Sequence, residues 1–442
     1  MTALETMGAF VAQGVRGRVP ASTRALAKLH VTDTVAAWVA GARTADGQRL
    51  MRASAVAGSD LANDLGIHCA QTRLSEVDNI HLASTTTPGG IVIPAALTIA
   101  AALPDTSPEA LLEAIVAGTE AMVRLGAAID GPTVLYRGIW PTYFAAPFGV
   151  AAVAARLYDL DAAQTAHALA LALTFASPGV GHHNAETTSR WFAAGHAARN
   201  GLVAAQAARA GFTSDLTLVD GGFLHGIYGI TPNVAAFTEG LGQRFALDDT
   251  SFKPWCAARQ TIAATQALLE IMKSGVSSET MTSVEIHVLP PFLKMIDHGV
   301  KAGDRASHLT SVQYNVALAA CDPSGLYDVG HSPERVPADV HAFMQKISVS
   351  ADPALLAHFP RAWAARVVVH AAGGTREQLV THGWGDPQRP FDDARVEEKF
   401  RKVLAPVAGA YVEGLLARSR SVFDTSRSPA ALMQEIARAI RN

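Results

Sequence analysis

The alternation of apolar and polar residues predicts helices over most of the first 245 residues. Residues 4–42 have the pattern of two amphipathic helices separated by a Gly-Arg-Val-Pro-Ala-Ser break, and Ser22 or Thr23 is placed to cap the second helix. Residues 54–128 and 143–179 continue as Ala-rich helical segments between short polar breaks. Alanine at this density indicates closely packed helices. Because no period of 20–50 residues repeats, we expect one irregular helical domain.

A helix with one face of small residues is predicted after residue 186. At helical spacing, a cation is followed on that face by small side chains: Arg190, Ala194, Ala197, Gly201, Ala204 and Ala208. Such a face suits close packing, and Gly211 is placed to end the helix in the left-handed conformation. A buried Arg190 needs an anion, either an internal carboxylate or a bound one. An internal ion pair is the more common arrangement.

The pattern changes near residue 245. Residues 282–289 alternate as a strand does, residues 347–350 include β-branched side chains, and residues 366–370 precede a Gly-Gly turn typical of a hairpin. Residues 392–404 and 409–441 again predict helices. We therefore predict a mainly α protein, with a large all-helical domain whose first part is residues 1–248 and a smaller α+β domain at residues 249–391.

The composition is that of a globular protein. The 442 residues are 49% hydrophobic and 17% charged, and the formal net charge is −3. No basic run or aromatic-basic ribbon is present, which argues against a nucleic-acid partner. The longest apolar run, residues 91–103, is shorter than the ~20 residues that span a bilayer, so it predicts a core helix and no membrane partner.

The cysteines and the glycine-rich segment predict no metal and no cofactor. Cys69, Cys256 and Cys321 lie far apart, without a CxxC pair or histidines at zinc-ligand spacing. Residues 220–229 are rich in glycine but match neither a phosphate-binding loop nor a dinucleotide-binding motif. The first 14 residues lack the positive charge and apolar core of an export signal. We therefore expect a cytoplasmic protein with reduced thiols.

The segment around Arg190 also resembles a known family. The Thr-Thr-Ser-Arg run at 187–190, the small-residue helix, Ala-Gly-Phe-Thr at 210–213 and Gly-Gly-Phe at 221–223 are similar to the signature region of the MmgE/PrpD family. That family includes 2-methylcitrate dehydratases, cis-aconitate decarboxylases and an iminodisuccinate epimerase. The resemblance implies a homodimer that needs no cofactor, in which residues 392–442 return to the helical domain. Most members have lysine where Arg190 stands, and the planar guanidinium suits bidentate carboxylate binding better than proton transfer.

The loop at residues 76–94 resembles the acidic loop of the family. It keeps Asp78, and Thr87 stands where the family has a histidine, while His81 lies a few residues earlier. Asp78 and His81 are spaced to form a carboxylate-oriented base that lines the site. The alternative is an Asp that caps a turn and a His in a loop.

A second family histidine is replaced by Trp140. Trp cannot exchange a proton at neutral pH, and it offers one N–H donor and a large apolar face. Trp140 therefore suggests a substrate with an apolar portion, or it is a core aromatic. His182 and His183 diverge as neighbours and have no third ligand at a recognisable distance, so we expect no metal there and keep His183 as a substrate-binding candidate.

Further candidates lie in the α+β domain. The segment at residues 252–264 resembles a family segment in which Lys253 and Arg259 are kept, while Ile262 replaces a histidine. With Arg190 they make three cations, as a substrate with two or three carboxylates requires, although surface charge is the alternative. Tyr314 resembles a family tyrosine and is either a donor to the substrate or a core residue.

These candidates predict a cofactor-independent lyase, of dehydratase or decarboxylase type, that acts on a small di- or tricarboxylic acid by abstracting a proton α to a carboxylate. In this scheme His81 or Lys253 is the base, Asp78 orients it, and Tyr314 donates a hydrogen bond. The replaced histidines leave two alternatives open. One is an epimerase or double-bond isomerase on a similar acid, and the other is a non-catalytic protein that binds a small acid.

Overall fold

The computed structural model describes residues 1–177, 187–301, 304–331 and 336–441. These residues form a helical unit, built from residues 1–177, 188–250 and 393–441, and an α+β unit within residues 251–392. The prediction of a mainly α fold with a smaller α+β part is confirmed. None of the described helices combines the length and the apolar character that crossing a membrane requires.

The first part of the helical unit is a series of helices joined by short loops. Its helices are α1 (Ala3–Ala9), α2 (Ala21–Arg43), α3 (Ala45–Ala57), α4 (Leu61–Leu74), α5 (Gly89–Ala101), α6 (Pro108–Ala128), α7 (Gly131–Val134), α8 (Pro141–Leu157), α9 (Ala162–Thr174), α10 (Ser189–Arg209), α11 (Phe223–Tyr228) and α12 (Val234–Thr238). Side-chain caps at Thr44, Asp60, Ser107 and Asp161 fix the starts of α3, α4, α6 and α9.

The predicted cap of α2 is wrong. The helix begins at Ala21, two or three residues before the predicted start, with Pro20 at the N-cap position and no side-chain cap. Proline restricts the backbone at this boundary, and Thr23 is already inside the helix, where its hydroxyl donates to Asp248 Oδ2 at 3.1 Å. Ser22 likewise lies inside the first turn.

The centre of the helical unit is α8, which packs against α5, α6, α9 and α10. The face of small residues on α10 is buried, as predicted. A Cβ atom built at Gly201 would lie 2.3 Å from the carbonyl oxygen of Pro147 in α8, so the two backbones touch there. The helix ends where predicted, since Gly211 has a φ of +96°. The apolar run at residues 91–103 forms most of α5, whose side chains are almost all buried.

The α+β unit contains a small mixed sheet. Its helices are α13 (Arg259–Met272), α14 (Pro290–Ile296), α15 (Arg305–Thr310), α16 (Val312–Cys321) and α17 (Ala338–Met344), and its strands are β1 (Met281–Val288), β2 (Ile347–Ala351), β3 (Ala365–Ala371) and β4 (Gly374–Val380). The strand order is β2-β1-β3-β4, with β1 parallel to β2 and antiparallel to β3. The predicted hairpin with its Gly-Gly turn is confirmed as β3 and β4. One face of this sheet packs on α13.

The beginning and the end of the α+β unit are joined. The backbone N–H of Phe252 donates to the carbonyl oxygen of Gly385 at 2.9 Å, and the Phe252 ring stacks on Phe391 at a centroid distance of 5.8 Å. The chain therefore enters and leaves this unit at neighbouring points.

The last three helices belong to the helical unit. They are α18 (Asp393–Ala408), α19 (Val412–Arg420) and α20 (Ser428–Arg441). Helix α18 packs on α2, where the buried ammonium of Lys399 pairs with Asp33 and donates to the carbonyl oxygen of Val77. An ion pair sealed in the interior thus ties the two ends of this unit together.

Candidate functional site

The loop between α4 and α5 carries a buried group of charges. Arg73, in the last turn of α4, donates from Nη2 to Glu76 Oε1 at 2.7 Å and from Nη1 to Asp78 Oδ1. Asp78 is fully buried and Arg73 is 4% exposed. Burial lowers the pKa of Arg73, but the charges of Asp78 and Glu76 outweigh that effect, and the net direction is upward. Arg73 therefore stays cationic in the interior.

Asp78 lies against the first turn of α5. A Cβ atom built at Gly90 would lie 2.4 Å from Asp78 Oδ2, and the backbone N–H of Gly89 donates to Asn79 Oδ1 at 2.7 Å. Only glycine leaves room for these side chains at this helix start. The helix N-terminus also favours a negative charge, so the position of Asp78 suits an ionised carboxylate.

Thr87 joins this loop to the start of α8. Its backbone N–H donates to Thr142 Oγ1 at 3.1 Å, and the two hydroxyls lie 3.2 Å apart. Trp140 lies immediately before Pro141, which is the first residue of α8. The loop and the N-terminus of α8 therefore hold Asp78, Thr87 and Trp140 in one region of the helical unit.

Trp140, Tyr143 and Arg190 form a stack in that region. The rings of Trp140 and Tyr143 are nearly parallel, with centroids 5.6 Å apart. The guanidinium carbon of Arg190, at the start of α10, lies 4.5 Å from the centroid of the Trp140 ring. A cation over an aromatic face is stabilised by the ring quadrupole, which offsets part of the cost of burying Arg190. Trp140 thus packs with two polar side chains.

The hydroxyl of Tyr143 is buried beside two cations. Neither this hydroxyl nor Trp140 Nε1 has a hydrogen-bond partner among the described residues. Burial raises the pKa of Tyr143. The positive charges of Arg73 and Arg190 oppose that rise, and the negative charges of Glu76 and Asp78 add to it. The phenol is therefore neutral at physiological pH and has a proton to donate.

We call this group the Tyr143 cluster. It consists of Arg73, Glu76, Asp78, Trp140, Tyr143 and Arg190. A buried donor without a partner costs about 1–3 kcal/mol. A ligand that accepts hydrogen bonds from Tyr143 and Trp140 would recover that energy. The arrangement suits a small ligand whose oxygen atoms accept hydrogen bonds.

The predicted pairing of Asp78 with His81 is wrong. Asp78 bonds to Arg73, whereas His81 Nδ1 lies 2.9 Å from Ser84 Oγ and accepts from the Ser84 backbone N–H at 3.2 Å. A backbone bridge to Thr86 fixes His81 in a tight turn. Burial lowers the pKa of His81 to about 4, and the charge of Asp249 only partly opposes this. His81 is therefore neutral, and its unprotonated nitrogen is already occupied.

Lys253 and Arg259 are both buried in the α+β unit, so neither is a surface charge. Arg259, the first residue of α13, donates from Nη2 to both carboxylate oxygens of Asp386 at 2.8 and 2.7 Å. Asp386 also accepts from the backbone N–H of Gly383 at 2.7 Å. Arg259 Nε and Nη1 have no hydrogen-bond partner among the described residues. Nη2 of Arg259 thus binds Asp386, whereas Nε and Nη1 can donate to another acceptor.

Tyr314 lies in the first turn of α16, where its backbone N–H donates to Ser311 Oγ at 3.1 Å. Its ring meets His308 edge-on at 4.7 Å and lies 5.8 Å from His331. Burial, then the charge of Asp328, raises the pKa of Tyr314 to about 12. Tyr314 is therefore a neutral donor in an aromatic group.

The sequence missed several of these residues. Arg73 and Tyr143 sit inside helical patterns that look like ordinary core, and His331 has no neighbouring motif. Their roles come from tertiary contacts. His183 lies outside the described residues. Within the part of the chain that the structure describes, no group of three or more His, Cys, Asp and Glu side chains is arranged to hold a metal ion.

The fold and this cluster define a mainly α protein with a buried polar site in its helical unit. Comparison with protein families extends this result to the whole chain. Residues 5–233 match the model of the MmgE/PrpD N-terminal domain, and residues 255–417 match that of the MmgE/PrpD C-terminal domain. The chain therefore belongs to the MmgE/PrpD family, which includes dehydratases and related lyases that act on small acids. Comparison with curated proteins finds no match.

Proposed function

We propose that this protein is a cofactor-independent lyase that removes a proton α to a carboxylate of a small di- or tricarboxylic acid. Family membership supports the general class of reaction. The observation that carries the proposal is the buried hydroxyl of Tyr143, which has no partner among the described residues. It lies in the field of two cations, Arg73 and Arg190, and of the carboxylates of Glu76 and Asp78. A neutral donor beside cations suits a reaction in which negative charge develops on oxygen.

The cluster residues have distinct roles in this proposal. Arg190 binds one substrate carboxylate and stabilises the charge that appears when the α proton leaves. Arg73 is held by Glu76 and Asp78, so it acts on Tyr143 through its field and not as a direct ligand. Trp140 covers an apolar part of the substrate and offers its Nε1–H.

Of the two predicted bases, His81 is the poorer one, because its pKa is low and because the backbone N–H of Ser84 donates a hydrogen bond to its unprotonated nitrogen. Lys253 is the remaining candidate, and its role as the base stays a prediction. In an elimination, the base takes the α proton, the C–H electrons form the double bond, and the β C–O bond breaks. The departing hydroxide takes the proton of Tyr143 and leaves as water. The base then releases the α proton to solvent, and Tyr143 regains a proton from solvent. The donor role of Tyr314 and the anion-binding role of Arg259 stay predictions.

The test is proton NMR in deuterated buffer with candidate acids: 2-methylcitrate, citrate, cis-aconitate, methylaconitates, iminodisuccinate and hydroxy-dicarboxylates. We expect solvent deuterium at an α carbon of at least one acid, and loss of that exchange in Arg190→Ala and Lys253→Ala. If both variants kept full turnover, the assignment would be wrong. If no acid exchanged but calorimetry showed binding without conversion, the protein would be a non-catalytic acid-binding homologue.

One observation favours an epimerase or double-bond isomerase as the second candidate. Burial makes Tyr143 a weaker acid, and Trp140 cannot supply a proton. Moving a proton between carbons needs less acid strength than expelling hydroxide. Product stereochemistry separates the two reactions, since an epimerase would scramble the configuration at the deuterated carbon without forming an alkene.

A further inference from the structure

A second concave surface lies on the opposite face of α10 from Arg190. It is a groove of about 230 Å³ between α3, α4 and α10. Its floor forms where α4 and α10 touch, because a Cβ atom built at Gly195 would lie 2.5 Å from the carbonyl oxygen of Gly66. The groove is thus formed by two glycines that leave no side chain to fill it.

The walls of the groove are mainly apolar. They include Leu50 and Ala53 of α3, Ile67 of α4 and Phe192 of α10. Phe192 is 56% exposed, so much of its ring is open to solvent. A ligand with an apolar body would cover this ring.

Arg199 gives the groove its charge. Its Nε atom is buried and has no hydrogen-bond partner among the described residues, and no described carboxylate pairs with its guanidinium. The buried arginines Arg73 and Arg156 of the same unit each pair with a carboxylate. No Asp or Glu lines the groove. An apolar groove with an unneutralised guanidinium is complementary to a molecule with one anionic group and an apolar body.

The groove is separate from the Tyr143 cluster. Phe192, Gly195, His196 and Arg199 repeat at helical spacing along one side of α10, whereas Arg190 lies on the side that faces α8. None of the residues that line the groove belongs to the cluster. A ligand in the groove would therefore leave the proposed reaction site free.

We propose that this groove binds a small amphipathic monocarboxylate. The guanidinium of Arg199 pairs with the carboxylate, and the walls of α3 and α10 enclose the hydrocarbon part. His196, which also lines the groove, offers a second polar contact near Arg199. The proposal does not depend on the reaction that the Tyr143 cluster performs.

Isothermal titration calorimetry with sodium octanoate, and with octan-1-ol as the uncharged counterpart, tests this site. We expect one octanoate per chain and weaker binding of octanol. Arg199→Met should weaken octanoate binding at least tenfold, and Ala53→Phe, which fills the groove from an exposed helix position, should abolish it. The matched control is Arg209→Met on the same helix, which removes a cation that lies over Tyr158 outside the groove and should change binding less than twofold.

Circular dichroism confirms that each variant is folded, and Arg199→Lys should keep part of the affinity because it keeps the charge. The proposal is overturned if wild-type protein does not bind octanoate, or if Arg199→Met and Arg209→Met weaken binding equally. It is also overturned if sedimentation shows that Ala53→Phe splits a dimer while octanoate does not bind. The groove would then be a contact between two copies of the chain.

Discussion

Tyr143 is an unusual buried tyrosine, because such hydroxyls normally have a hydrogen-bond partner. Its neighbours explain why the fold tolerates the exception. The ring is stabilised by stacking on Trp140, and the oxygen lies in the opposed fields of two cations, Arg73 and Arg190, and two carboxylates, Glu76 and Asp78. A buried hydroxyl without a partner among the described residues can donate a hydrogen bond to a ligand.

The first prediction concerns that hydroxyl. Tyr143→Phe removes a buried hydroxyl without a partner, so the free energy of unfolding should stay the same or rise by up to about 1–3 kcal/mol. If Tyr143 donates a proton, kcat should fall by about 10²–10⁴-fold on the substrate found by NMR. Tyr228→Phe is the control, since that hydroxyl donates to the carbonyl oxygen of Ala176 outside the cluster. Unchanged kcat in a folded Tyr143→Phe protein would remove Tyr143 from the mechanism.

His30 predicts how stability depends on pH. Burial, and then the charge of Lys399, lowers its pKa to about 3, while an unfolded histidine titrates near about 6.5. As pH falls below about 6.5, the unfolded chain takes up this proton before the folded protein does, so stability is lost progressively toward pH 3. One such proton contributes a slope of up to about 1.4 kcal/mol per pH unit.

Replacing His30 by Asn keeps an acceptor for Asn79, whose amide donates to His30 Nδ1 at 2.8 Å. Urea unfolding between about pH 6.5 and 4 should give a smaller slope for the variant by about that amount. Above pH 7 the two proteins should have equal slopes, which serves as the internal control. Equal slopes at low pH as well would show that His30 is protonated in the folded protein.

At the scale of elements, the close approach of α8 and α10 positions the cluster, because Trp140 and Tyr143 start one helix and Arg190 starts the other. Gly201→Ala would place a methyl group 2.3 Å from Pro147 O, against backbone that cannot move aside easily. We expect a loss of about 1–3 kcal/mol in the free energy of unfolding, with weaker catalysis.

Gly226→Ala is the matched control for this helix contact. It lies inside the short helix α11, and a Cβ atom there meets nothing within 4 Å. Alanine should leave stability unchanged or raise it by about 0.5–1 kcal/mol. Thermal unfolding of the two variants measures both effects, and similar losses in both would mean that the packing of α10 on α8 tolerates a methyl group.

At the scale of the whole molecule, the α+β unit is an insertion whose two ends are fastened together. Besides the contacts of Phe252, the buried pair of Arg259 and Asp386 links the first helix of the unit to its last turn. Arg259→Met would leave the carboxylate of Asp386 buried without its cation, and we expect a loss of about 3–5 kcal/mol.

Hydrogen exchange followed by mass spectrometry locates this effect. Exchange should rise within residues 251–392 and stay unchanged in α8 and α10. Asp386→Asn should produce the same regional pattern, because it breaks the same pair from the other side. If exchange were unaltered while substrate affinity fell, Arg259 would act on the ligand and not on the fold.

The predictable features are those set by local pattern. The small-residue face of α10, its end at Gly211 and the hairpin of β3 and β4 follow from periodicity and turn residues, and each is confirmed. The ion pairs were not predictable in this way. Asp78 and His81 are three residues apart, yet Asp78 pairs with Arg73. Arg73 lies within a helical pattern that gives no sign of this pairing. Partner choice in the interior depends on tertiary packing.

The pair of Asp33 and Lys399 has a consequence for synthesis on the ribosome. Asp33 is made early, but its cation lies in α18, near the end of the chain. At about 5–20 residues per second, roughly 20 to 70 s pass before Lys399 is added. Until then Asp33 lacks this cation, so the packing of α18 on α2 forms only after Lys399 has been added. During that interval the surface of α2 that α18 covers in the folded protein is accessible to chaperones.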